Sequence, residues 1–199
     1  MTHEIKKVAR AIEEGKIVSF PTETIYGIAA NALNKEAVAK IYNIKGRDFN
    51  KPLALVVTDI KFAASYVELN DRALKLAKAF CPGPLSIVLP KKAGCKIDGS
   101  VNANLDSFSI RIPNHQIALD VLNEVRCPVV LTSANPSGQM EAVTADQVKK
   151  YFGDKIDIIL DGVTQIGVAS TVVDLCADEV KILRQGVITL EEIYKILSD

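Results

Sequence analysis

Two hydrophobic periodicities share this chain, and they do not take strict turns. Some stretches repeat apolar residues at helical spacing, while others are short continuous or alternating apolar runs. A regular doubly wound sheet needs a helix between successive strands. Here strand-like runs also follow one another directly. The expectation is therefore one α/β domain over residues 1–199, with a twisted sheet of mixed parallel and antiparallel strands flanked by helices.

Ile5, Val8, Ala9 and Ile12 fall on one helical face, with Thr2 as N-cap and Gly15 as stop. Residues 16–20 form a strand and 28–30 a second. Asn34 caps a helix over 35–45 that turns Val38, Ile41 and Tyr42 inward, and Gly46 ends it in the left-handed region. Residues 53–57 are the next buried strand. Asp59 and Asn70 cap helices over 60–66 and 71–80, and Cys81-Pro82-Gly83-Pro84 forces a turn. Residues 85–89 form a strand, and 91–106, rich in Gly, Asn and Asp, form a mobile loop. In residues 107–112, alternation puts Ser107, Ser109 and Arg111 on one face. A helix through Leu119 and Leu122 precedes a strand over 128–131. Thr144 with Gln147, and Thr189 with Glu192, are capping boxes for two further helices. Residues 157–160, 170–175 and 180–183 complete the strands.

Several function classes are excluded. No G-x-x-x-x-G-K-[ST], G-x-G-x-x-G or G-x-S-x-G occurs. Lys plus Arg equals Asp plus Glu at 24 each, so attraction to nucleic-acid backbone alone is not this chain's basis of binding. Cys81, Cys95, Cys127 and Cys176 form no C-x-x-C pair, which points to free thiols in a reducing compartment and to no zinc site. No signal core and no membrane-length apolar run is present, so a cytoplasmic protein is expected. Only His3 and His115 could supply imidazole chemistry, and both read as structural.

The polar segments are more telling. Thr22-Glu23-Thr24 is either a hydroxyl-rich turn after a strand or a cradle for a small zwitterion or phosphate; Tyr26-Gly27 beside it permits close approach of a ligand. Lys45, Arg47 and Lys51 either complement a helix dipole in solvent or neutralise a polyphosphate. Arg111, between Ile110 and Ile112, needs a carboxylate, either from the protein or, held bidentately, from a substrate. Thr132-Ser133-Ala134-Asn135-Pro136-Ser137-Gly138 is a turn sequence at a strand end, where α/β proteins place their sites. Ser170-Thr171 and Arg184-Gln185-Gly186 are weaker polar breaks beside strands.

Together with Lys51-Pro52-Leu53, Ser109-Ile110-Arg111-Ile112-Pro113, Ser170-Thr171-Val172-Val173-Asp174 and Leu183-Arg184-Gln185-Gly186, these segments resemble, in order and over nearly the whole chain, the YrdC-like family in its short, single-domain form. The resemblance implies a mixed sheet around a cationic cavity. It implies a nucleotidyltransferase that converts L-threonine, bicarbonate and ATP to threonylcarbamoyl-AMP and pyrophosphate, the first step of a tRNA adenosine modification. It implies a catalytic set of Lys45, Arg47, Ser133 and Asn135. Lys45, Arg47, Lys51, Ser107, Ser133, Asn135 and Arg184 would bind ATP, and Thr22, Thr24, Tyr26, Arg111 and Ser170 would bind threonine. Mg²⁺ would ride on the ATP phosphates with no protein metal cage, and the product would pass to tRNA threonylcarbamoyl-transfer proteins. Two departures stand out: Asp48 follows Arg47 where many relatives have proline, and the sequence ends at Asp199, without the extra C-terminal domain of longer relatives. The rival readings are a non-enzymatic RNA-binding module, with weak RNA contact at the same pocket, and a paralogue acting on another acceptor. No membrane partner is expected.

Overall fold

A computed structural model describes residues 2–198. Nine strands form one sheet in the order β7-β1-β2-β6-β3-β5-β4-β8-β9. They are β1 (Val18–Pro21), β2 (Tyr26–Asn31), β3 (Ala54–Val56), β4 (Leu85–Pro90), β5 (Ser107–Arg111), β6 (Val129–Ser133), β7 (Ile158–Ile159), β8 (Thr171–Asp174) and β9 (Lys181–Arg184). The pairs β1–β7, β3–β5 and β4–β8 are parallel; the other five are antiparallel. The sheet is thus mixed, as the irregular alternation requires. The helices are α1 (Thr2–Glu13), α2 (Lys35–Lys45), α3 (Ile60–Ala63), α4 (Asp71–Phe80), α5 (Gln116–Glu124), α6 (Ala145–Phe152) and α7 (Leu190–Ser198).

Local signals explain most boundaries. Asn34 Oδ1 accepts the Ala37 amide at 3.0 Å, and Gly46 ends α2 at φ 58°, where other residues carry a steric cost. Thr144 Oγ1 accepts from Gln147 N, while the Gln147 side chain reaches back to Val143 N. At α7 the reciprocal pair is complete: Glu192 Oε2 accepts Thr189 N at 2.7 Å, and Thr189 Oγ1 accepts Glu192 N at 3.2 Å. Three expectations are corrected. Thr2 lies within α1 rather than capping it, and α3 stops at Ala63 instead of residue 66. Residues 91–106 are irregular but pinned: Ile97 and Val101 are buried, and Val101 O accepts the Leu53 amide at 2.8 Å. Two buried anchors inside a Gly- and Asn-rich stretch hold it against the sheet.

One face of the sheet carries an unbroken apolar row from β2 to β8. Ala30, Val130, Leu55, Ile110, Ile87 and Val173 align across neighbouring strands and pack with Val38, Ile41, Leu76, Val148 and Ile193 from four helices. On the other face α1 and α5 cover β1 and β2, where Ile5, Val8 and Ile12 meet Val18, Phe20 and Ala29. Burial of each such side chain contributes about 1.5–3 kcal/mol. That cover reaches no further than Val56 of β3.

Candidate active site

Where α1 and α5 end, the exposed face of β3, β5, β4, β8 and β9 forms the floor of a hollow of about 560 Å³. Strand register sets its lining. Val56, Arg111, Ser86, Val172 and Arg184 stand in one lateral row, and Leu131, Ala54, Ser109 and Val88 in the next. All of them line the cavity. Because side chains alternate along a strand, the residues between them, such as Ile87 and Ile110, are the opposite apolar face.

Arg47 and Lys51 enter from the loop after α2. Arg47 Nε donates to Lys51 O at 3.0 Å and its Nη2 to Pro52 O at 2.8 Å; Phe49 stacks on Tyr42 at 4.7 Å. These contacts fold the loop back over the hollow. Asp48 is exposed and outside the lining; its Oδ1 accepts the Asn50 amide at 2.9 Å and so shapes the same turn. Arg184 Nε and Nη2 both donate to Ser170 O, at 3.0 and 2.8 Å, and Nη2 also donates to Ser170 Oγ. A Cβ at Gly186 would sit 2.3 Å from Ala169 O, so only glycine lets the chain after β9 lie this close to Ser170. Partial burial lowers the pKa of the Arg184 guanidinium; Arg111 and Arg47 lower it further while Glu141 opposes them. Arginines from three separate segments therefore feel one another across one cavity.

Arg111 meets the first of its two expected partners, a carboxylate of the protein. Its Nη2 donates to Glu23 Oε1 at 2.9 Å and to Thr24 Oγ1 at 2.6 Å, while its buried Nε has no partner. Thr22 lines the cavity and its hydroxyl donates to Ile25 O at 2.7 Å. Thr24 is wholly buried behind that lining and touches it through Arg111 and through Thr22, whose hydroxyl lies 2.9 Å from its own. Tyr26 also lines it, but its hydroxyl donates to Gly162 O at 2.8 Å; burial first, then Asp161, pushes its pKa up to about 12. Ser170 Oγ shares a 3.0 Å hydrogen bond with Ser86 Oγ.

Besides Thr24, three expected ligand-binding residues sit outside the lining. Lys45 is 3% exposed, and its Nζ donates to Ser133 O at 2.5 Å and Asn135 O at 2.6 Å, so it clamps the loop after β6 instead of facing the cavity. Burial, reinforced by Arg47, lowers its pKa to about 7. Asn135 accepts from Ser133 Oγ at 2.6 Å and donates to Gln139 O at 2.6 Å; it too is outside the lining, whereas Ser133 is in it. Ser107 shares the strand face of Ser109 but lies two residues beyond the cavity, opposite Pro90. Ser86, Ser109 and Asn50 line the hollow without having been singled out as ligands. Alternation along residues 107–111 marks the face Ser109 shares with Arg111; nothing local distinguishes Ser86.

A cationic concavity with a hydroxyl-bearing floor is chemically suited to an extended anion beside a small polar molecule. Residues 10–186 match the Sua5/YciO/YrdC family, described as telomere recombination, and the chain belongs to that family. It is 40% identical over 198 residues to the threonylcarbamoyl-AMP synthase of Pyrococcus abyssi, covering 98% of this chain and 58% of that protein. It is 40% identical to a putative threonylcarbamoyl-AMP synthase of Methanocaldococcus jannaschii, covering 96% of this chain and 92% of the relative. The crystal structure of P. abyssi Sua5 complexed with L-threonine superposes with a TM-score of 0.94 at 40% identity, over 99% of this chain and 58% of that one. The chain thus spans little more than half the length of the P. abyssi protein.

Proposed function

We propose that this chain makes threonylcarbamoyl-AMP and pyrophosphate from L-threonine, bicarbonate and ATP, as a cytoplasmic nucleotidyltransferase acting at the first step of a tRNA modification. One observation carries the reading: Arg47, Lys51, Arg111 and Arg184 reach a single hollow together with Ser86, Ser109, Ser133 and Ser170. It is supported by the names of the Pyrococcus and Methanocaldococcus relatives and by the threonine complex of the former.

Threonine lies with its carboxylate at Arg111 and its polar groups near Thr22 and Ser170. Its neutral amine adds to CO₂ from bicarbonate, giving a carbamate and releasing a proton. A carbamate oxygen attacks the α-phosphorus, the bond from that phosphorus to the bridging oxygen breaks, and pyrophosphate leaves. Carbamates are short-lived in water, so holding the two reactants together is much of the catalysis. Arg47, Lys51 and Arg184 offset charge on the phosphate oxygens, and Mg²⁺ arrives on ATP as part of the substrate. Lys45 and Asn135 serve by holding Ser133 in place. The product passes to proteins that transfer the threonylcarbamoyl group to tRNA.

The test is pyrophosphate release from ATP and Mg²⁺. It should require both L-threonine and bicarbonate. Release that is indifferent to threonine overturns the reading, and salt-sensitive RNA binding without any turnover would favour the RNA-binding alternative.

A further inference from the structure

Glu23 is a carboxylate at 2% exposure, directly behind the hollow and outside its lining. Its Oε1 accepts from Arg111 Nη2 at 2.9 Å and its Oε2 accepts the Asn114 amide at 3.1 Å. The backbone carrying it is fixed as well: Glu23 O accepts the amides of Gln165 and Ile166, and Thr24 O accepts that of Gly167. We propose that Glu23 is a positioning residue, which fixes the guanidinium of Arg111 for the carboxylate of the amino-acid substrate.

The proposal rests on the reading of Arg111 as that carboxylate's anchor. Stability alone does not call for a buried ion pair, since apolar replacements of such pairs are often neutral or better. Orientation does call for one. A free arginine side chain loses about 2 kcal/mol of rotamer freedom when a ligand fixes it, and an arginine held in advance no longer loses it at binding. Arg111 also stands in the same lateral row as Arg184, with Ser86 and Val172 between them, and the two cations repel. Glu23 supplies the opposite charge that holds Arg111 against this repulsion, and Thr24 Oγ1 fixes the second hydrogen of Nη2. Both hydrogens of Nη2 are then occupied and Nε is buried without a partner, which leaves Nη1 as the group open to a new oxygen.

The experiment is a double-mutant cycle on pyrophosphate release, using Glu23→Gln, Arg111→Lys and the pair. Glu23→Gln should raise the threonine KM about tenfold, equivalent to about 1.4 kcal/mol, with the ATP KM within about twofold and the unfolding midpoint nearly unchanged. In the Arg111→Lys background it should add nothing, because Glu23 acts through Arg111. Additive effects, an unchanged threonine KM, or equal rises for threonine and ATP overturn the proposal. If Arg111→Lys by itself leaves the threonine KM unchanged, the anchor reading fails; if only Glu23→Gln is silent, the Glu23 assignment fails alone. Should Glu23→Gln not fold, Glu23→Asp keeps the charge but withdraws it by one methylene. Threonine titrated calorimetrically into that variant should then bind several-fold more weakly, and wild-type affinity would overturn the proposal.

Discussion

The two ends of one sheet face are built from the same strand geometry and put to opposite uses. A single lateral row runs Val18, Ala29, Leu131, Ala54, Ser109, Val88. Its first two members are sealed beneath α1 and α5, Leu131 stands at the boundary and touches both regions, and its last three line the open hollow. The backbone does not change character along the row. What changes is whether a helix covers the face, and the side chains follow: apolar where covered, with hydroxyls and guanidiniums set among apolar residues where open. At the open end the neighbouring row holds both Arg111 and Arg184, and their mutual repulsion is a cost that a ligand with negative charge relieves. The covered end contributes stability and the uncovered end spends some of it on binding, as site residues commonly do.

That division can be broken from either side. The largest effect should come from the covered end. Phe20 is 0% exposed in the cluster with α1 and α5. Phe20→Ala should cost about 3–5 kcal/mol of stability through lost transfer energy and a residual cavity, measured by denaturant unfolding. The threonine and ATP KM of the folded fraction should stay put; a shift in either would mean that the two ends are not separable. The next effect comes from the open end. Arg47→Ala removes a guanidinium that lines the hollow, together with its bonds to Lys51 O and Pro52 O. Threonine-dependent pyrophosphate release should fall on the order of 100-fold, with a much smaller change in unfolding free energy than Phe20→Ala gives. Activity near wild type would remove Arg47 from the catalytic set.

The helix ends and the packed faces were far more legible in the sequence than the extent of the hollow, for a physical reason. Asn34, Gly46, Thr189 and Glu192 act on amides and backbone within a few residues, so local chemistry announces them. The apolar periodicities of α1 and β5 likewise report a face. Which part of a face is left uncovered is a property of cross-strand register. Ser107 and Ser109 share one face, yet only Ser109 lies opposite Ala54 and Val88 at the cavity. Ser86 reaches the site because β4 pairs with both β5 and β8, which its own neighbours do not reveal. The cations Lys45 and Arg47 are two residues apart and look equivalent in sequence. Gly46 turns the chain between them, so Lys45 points to carbonyls 88 and 90 positions away while Arg47 lines the hollow.

That contrast between neighbouring cations yields the most diagnostic expectation. Ser133 O, Asn135 O and Asn135 Oδ1 favour a charged Lys45, but burial outweighs them and Arg47 adds to it, which places the folded pKa at about 7. In the unfolded chain a lysine titrates near its ordinary value of about 10.4. Between those two values the unfolded state binds the proton and the folded state does not. Stability therefore rises with pH across that window, by at most about 1.4 kcal/mol per pH unit from this group, and the contribution is lost as pH falls through about 7. Lys45→Met has no such proton to lose. Unfolding free energies measured from pH 6.5 to 9.5 should climb more steeply in the wild type than in Lys45→Met, with the slopes parting above neutrality. Parallel curves would mean that Lys45 keeps its charge in the fold throughout. The ammonium would then be as much a fixed cation as Arg47, and the difference between them would lie only in where each one points.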